Sequence, residues 1–138
     1  MENEDGGGQK TVIGEDGRLM KLRDIREILD ADVLCGEQLL DTEVQTGFAC
    51  DLISEMLAYA GSGSLLITSL KNPHVIHTAE VMDAVGVVFV GGKNPNPSIM
   101  KQIYSSRIPL LATDYMIFKC CGLLFQHGIQ GAKRGCLQ

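Results

Sequence analysis

Three times along the chain, a short apolar run rich in branched residues gives way to a polar, punctuated turn, and the turn opens a stretch of helical period. The first unit is Leu65-Leu66-Ile67-Thr68, then Ser69-Leu70-Lys71-Asn72, then Pro73 and a helix. The second is Val87-Val88-Phe89-Val90, then Gly91-Gly92-Lys93-Asn94-Pro95-Asn96, then Pro97 and a helix. The third is Pro109-Leu110-Leu111-Ala112, then Thr113-Asp114 and a helix running to about Gln126. Upstream, Leu22, Ile25, Ile28 and Leu29 share one helical face, and Val33-Leu34-Cys35 is a short strand ending at Gly36. Residues 37–43 form a polar connection, and Val44 to Cys50 is a further strand. Asp51 suits the N-cap of a helix over residues 52–60, which Gly61 and Gly63 stop. Apolar strands alternating with helices predict an α/β fold. It is a single three-layer domain, with a mainly parallel sheet of about five strands and helices on both faces.

Composition sharpens this picture at the ends. Residues 1–19 carry five acids, two bases and the run Gly6 to Gly8, so they read as an acidic, Gly-rich mobile tail with at most a weak strand at Thr11–Ile13. Gly128, Gly131 and Gly135 mark residues 128–138 as a fraying C-terminal tail, which leaves the domain over residues 20–127. Hydrophobic residues make up 45% of the 138, but only 5% are aromatic and none is Trp, so the core is expected to be aliphatic. A net charge of -5 and the lack of a basic stripe argue against a nucleic-acid partner. No apolar run approaches the roughly 20 residues of a membrane span, and a cytoplasmic location is expected. The five cysteines form no CxxC pair, so neither a zinc site nor a disulfide framework is expected.

Parallel sheets bind ligands beyond the carboxyl ends of their strands, and the three turns lie there. Asn72 followed by Pro73 is a capped helix start, and Thr68 and Ser69 line the same end. Gly91-Gly92 allows close backbone approach, with Lys93 supplying a positive charge. Thr113-Asp114 reads as a third cap. Three helix N-termini with unpaired N–H groups favour an anion, a phosphate or a carboxylate. The predicted ligand site is therefore Thr68, Ser69, Asn72, Gly91, Gly92, Lys93, Thr113 and Asp114. Ordinary capping and strand exit account for the same residues without a ligand.

No phosphate-binding Walker loop, GxGxxG, GxSxG or HExxH motif occurs, and no nucleophile–base pair is evident. No catalytic residue, metal or cofactor is assigned. His74, His77 and Glu80 share one helical face, a spacing that solvated surface also shows. The last helix, with Ile117, Phe118, Leu123, Leu124 and Phe125, is apolar nearly all round and belongs in a core or an interface. That surplus in a small domain predicts a homo-oligomer, most simply a two-fold dimer.

Val33-Leu-Cys-Gly36, Leu39-Leu40-Asp41-x-x-Val44, Leu66-Ile-Thr68, Asn72-Pro73-x-Val75-Ile76, Val87-Val88-Phe89-Val90-Gly91-Gly92 and Phe118-x-x-Cys121-Gly122 together resemble the DRTGG domain family. The likeness runs from about Lys21 to Phe125 and extends to the N-terminal domain of HPr kinase/phosphorylase. Asp41-Thr42 stands where Asp-Arg is usual, and Val90-Gly91-Gly92 where Thr-Gly-Gly is usual. The resemblance implies a non-catalytic regulatory or ligand-sensing module. Such a module self-associates and binds a small anionic ligand, such as a nucleotide, or a partner protein. Short stand-alone members encoded beside iron-hydrogenase genes extend the implication to hydrogenase or redox metabolism. The alternative is a small enzyme of phosphoryl or acyl-group chemistry using the strand-end loops.

Overall fold

The computed structural model describes residues 19–133. The Thr11–Ile13 strand and most of the predicted N-terminal tail lie outside them. Two four-residue runs without a polar break, β3 (Leu65–Thr68) and β4 (Gly86–Phe89), are buried at every position and form the middle of the sheet. A strand buried on both faces needs helices above and below it, which is why such runs do not alternate. β5 (Leu110–Ala112) pairs with β4, and β2 (Thr46–Ala49) pairs with β3, all in parallel. β1 (Asp32–Cys35) closes one edge antiparallel to β5, with an irregularity in register between Val33 and Cys35. Gly36 ends β1 at φ 85°, where a Cβ would lie 2.6 Å from Pro109 Cα, so the turn needs glycine twice over.

The sheet has six strands in the order β1-β5-β4-β3-β2-β6. The sixth, β6 (Gln130–Gly131), pairs in parallel with Thr46 and Gly47. Residues 128–131, expected to fray, thus hold the outer edge of the sheet. The anchor is Ile129, 4% exposed, and it accounts for the difference: one buried residue among glycines was enough to dock the segment.

The helices divide between the two faces. α1 (Leu22–Ile28) and α5 (Ile117–Gln126) pack through Leu22, Ile25, Cys120 and Leu124 onto Leu65, Ile67, Val88, Val90 and Leu111. The other face receives α2 (Ile53–Tyr59), α3 (Pro73–Val81) and α4 (Met100–Ser105). Their Met56, Val75, Ile76, Ala79 and Ile103 meet Leu66, Val87, Phe89 and Leu110. The connection 37–43 is more ordered than its polarity suggested, with a 3-10 turn over Glu37–Leu39 and a buried Leu40.

The strand order bears on the candidate site. The chain leaves β4 toward α4 on one face and leaves the neighbouring β5 toward α5 on the other. The loops after β4 and β5 therefore diverge, and a crevice outside the strand ends is expected at that switch point.

Candidate functional site

The predicted residues all lie at the carboxyl ends of the parallel strands, but in two clusters. Beyond β3, the Thr68 hydroxyl donates to Asp51 Oδ1 at 2.8 Å, the Ser69 N–H donates to the same oxygen at 2.8 Å, and the Ser69 hydroxyl donates to Oδ2 at 2.6 Å. The Asp51 carboxylate occupies the donors that the sequence had offered to a ligand. It does not cap α2, whose N-cap is Leu52. The Ser69 hydroxyl foremost, with the Ser69 N–H and the Thr68 hydroxyl, holds its carboxyl below the usual carboxylate range despite an opposing effect of burial. Asn72 caps α3 as expected, accepting from the N–H groups of His74 at 2.9 Å and Val75 at 3.3 Å.

The second cluster spans the switch point. Gly91 and Gly92 have φ of 84° and 157°, a path that side-chain-bearing residues rarely take. Their N–H groups donate to the carbonyls of Tyr115 at 2.8 Å and Thr113 at 2.9 Å, and the Lys93 N–H donates to Asp114 Oδ1 at 3.1 Å. The loops after β4 and β5 are thus laced together, and the backbone donors of the turn expected to approach a ligand are engaged within the chain. Asp114 braces the Gly91–Lys93 turn, and α5 starts only at Ile117 with no side-chain cap. Thr113 is fully buried; its hydroxyl donates to Leu29 O at 2.6 Å and accepts from the Tyr115 N–H at 3.1 Å, a structural role.

Positive charge at this end comes from two lysines, against the carboxylates of Asp30, Asp32, Asp51 and Asp114. Lys93 Nζ lies 3.6 Å from Asp32 and 3.9 Å from Asp30, so its charge is partly balanced. Lys71 Nζ donates to Val90 O at 3.0 Å and lies 3.9 Å from where a Gly92 Cβ would be. Among the described residues it has no carboxylate partner. Lys71 bridges the two clusters and is not among the residues predicted from the sequence. The available signal was its place two residues before a helix start, in the loop beside a double glycine. Asp30, Asp32 and Asp51 were likewise not assigned to the site, because they reach it from β1 and β2 rather than from the three repeated units.

Other features lie elsewhere. A groove of about 570 Å³ opens at the amino ends of β2 and β3, lined by Thr46, Tyr59, Ser62 and Ser64 among others. A second, of about 310 Å³, runs between α5 and the β2–β6 edge. His74 and His77 are exposed, and the Glu80 carboxylate accepts from the Arg107 N–H at 2.9 Å. Among the described residues no cluster of three metal-ligating side chains exists. Asp41 pairs with Arg23 at 3.0 Å beside the start of α1, while Gly91-Gly92 lies past the far end of that helix. The two parts of the signature read from the sequence are therefore not neighbours here. No helix of the described residues is long and apolar enough to cross a membrane.

Residues 24–126 match the DRTGG domain family. The chain belongs to that family. A comparison with curated proteins found no match. The DRTGG chain is similar in structure to the CBS and DRTGG domains of the regulatory region of Clostridium perfringens pyrophosphatase, crystallised with its activator diadenosine tetraphosphate. The TM-score is 0.62 at 15% sequence identity, over 83% of this chain and 52% of that one. The DRTGG chain thus spans about half the length of that relative, and a likeness at this identity establishes the shared α/β fold.

Proposed function

We propose that this DRTGG domain is a non-catalytic regulatory module that binds a small anionic ligand, of the nucleotide or phosphate class, at the β4–β5 switch point. One observation carries the reading: the Lys71 ammonium, with no carboxylate partner among the described residues, stands beside the Gly91-Gly92 turn, which Lys93 continues. A lysine held by one carbonyl keeps two further N–H donors for an anion. The pyrophosphatase relative, whose regulatory region was crystallised with a dinucleotide activator, supports a phosphate-bearing ligand. Self-association, a cytoplasmic location and a link to hydrogenase or redox metabolism belong to the same reading.

The test is thermal stabilisation by phosphate, mononucleotides and dinucleotide polyphosphates, followed by titration. A ligand present at 100 times its Kd adds about 2.7 kcal/mol to stability. Lys71→Ala should weaken binding at least tenfold, and Lys93→Ala by less, because Lys93 is shared with Asp30 and Asp32. Binding should weaken as salt rises. Affinity unchanged in Lys71→Ala would refute the assignment. Turnover of a nucleotide or acyl phosphate, lost in Asp114→Asn, would favour an enzyme instead.

A further inference from the structure

We propose that the exposed face of α5 is a two-fold interface on which a second copy of this chain lays its own α5 antiparallel, with Phe118 of each protomer against Phe125 of the other. The proposal rests on the self-association reading above and gives it a surface. Phe118 is 88% and Phe125 73% exposed, an unusual placement for two of the chain's four phenylalanines. With Cys121 and Gly122 they follow the i, i+3, i+4, i+7 spacing of one helical stripe, to the side of the buried Cys120 and Leu124.

Three features select a second copy as the occupant. The stripe is symmetric about its centre: the rings sit at either end and the two small residues lie between them. An isologous contact requires that residue i meet j while j meets i, and an antiparallel copy of this stripe satisfies that requirement. Gly122 is the second feature. It is exposed within the helix, and among the described residues nothing lies within 4 Å of where its Cβ would be, so their packing gives no reason for a helix-weakening residue. Close approach of another helix at the axis gives one. The third is charge. The stripe itself has none, and the adjacent Lys119 ammonium lies 4.4 Å from the centre of the Tyr115 ring on its own chain.

The surface also offers a receptacle. The groove of about 310 Å³ between α5 and the β2 edge is lined by Ala49, Cys121, Leu124, Phe125 and Ile129 among others. An antiparallel copy brings its Phe118 to that groove, so knob and hole occur on the same chain. Four largely exposed rings, at about 150 Å² each, supply about 600 Å². A standard interface totals about 1,200–2,000 Å², so the four rings alone cover about half of the lower figure.

Light scattering on the full chain at 10–100 micromolar tests this. The wild type should show twice the 14.9 kDa chain mass. Phe118→Glu combined with Phe125→Glu opposes like charges across the axis and should give a monomer with an unchanged far-UV spectrum. Phe118→Glu combined with Phe125→Lys opposes unlike charges and should remain a dimer at least tenfold tighter than the first variant. A monomeric wild type would overturn this interface and the self-association reading together. A dimer that survives the double glutamate variant would overturn the interface alone. Equal dissociation of both variants would overturn the antiparallel register. Independently of folding effects at the rings, a short bis-maleimide should cross-link the wild-type dimer. Cys121→Ser should abolish that cross-link, and cross-linking unaffected by the change would count against the proposal.

Discussion

Asp51→Ala isolates the contribution of a side chain that ties the end of β2 to the end of β3. The carboxylate accepts three hydrogen bonds, one of them from the fully buried Thr68 hydroxyl. A hydrogen bond to a charged group contributes about 1.5–3 kcal/mol when sheltered. Asp51 and Ser69 are exposed, so water replaces much of the two Ser69 bonds, and about 0.5 kcal/mol each is a fair count. Thr68 has no such replacement and adds about 1–2 kcal/mol. The expected loss is therefore about 2–3 kcal/mol. Over the 115 described residues, at about 2.1 cal/mol/K each, that lowers the Tm by about 10 °C. Urea denaturation followed by circular dichroism at pH 7 measures it. Because the folded pKa of Asp51 lies below its unfolded value of about 3.9, the contribution is complete above that pH and disappears as pH falls through the lower folded value. The wild-type and variant curves should converge in acid. The Asp51→Ala chain, with its donors vacated, should also gain more stability than wild type from added acetate or phosphate. A loss under about 0.5 kcal/mol, or a gap independent of pH, would refute the reasoning.

Asn72→Ala removes the α3 cap and should cost about 1 kcal/mol in the same assay, with or without ligand. Gly36→Ala forces a Cβ against Pro109 Cα at positive φ and should cost about 2–4 kcal/mol; a loss below 1 kcal/mol would show that the β1–β5 edge gives way freely. Burial, reinforced by Cys121, pushes the Cys120 thiol up from 9.0 to about 11. The unfolded chain therefore releases this proton at lower pH than the folded one, so stability should fall by about 2–3 kcal/mol between pH 9 and 11. Cys120→Ala should lack that part of the slope.

The fold was legible because its signals are collective. Four-residue apolar runs such as Leu65–Thr68, bounded by Asn72-Pro73 or Asn96-Pro97, report burial and helix starts together. The antiparallel direction of β1 was not legible, since a short apolar run carries no information about its partner. β6 was hidden because two residues paired on an edge have no periodicity, and only Ile129 anchors them. For the candidate residues, their place at the strand ends was legible and their hydrogen-bond partners were not. That Asp51 would turn to Thr68 and Ser69, or that Gly91 and Gly92 would donate to Tyr115 and Thr113, depends on loops meeting across the sheet. Those partners stand 17 to 24 residues apart in sequence.

The difference between free and engaged donors changes the kind of recognition this site can perform. A phosphate loop binds through several backbone N–H groups aimed at one point, and its affinity comes from their preorganisation. Here the N–H groups of Ser69, Gly91, Gly92 and Lys93 already have acceptors. On the reading proposed above, an anion is therefore held by the ammonium groups of Lys71 and Lys93, on flexible stems beside a braced turn. Point charges on mobile chains give modest, salt-sensitive affinity that tolerates variation in the ligand. The bracing has a second effect. The loops after β4 and β5 are joined to each other, and Thr113 joins them to the end of α1, so an anion drawing Lys71 away from Val90 pulls on a connected unit. Gly91 lies beside Met116, immediately before α5, which places that unit at the start of the helix carrying Phe118. If ligand binding and dimer formation are coupled, the coupling has a short covalent path, and by reciprocity saturating anion must shift the dimer dissociation constant by the same factor that dimerisation shifts anion affinity.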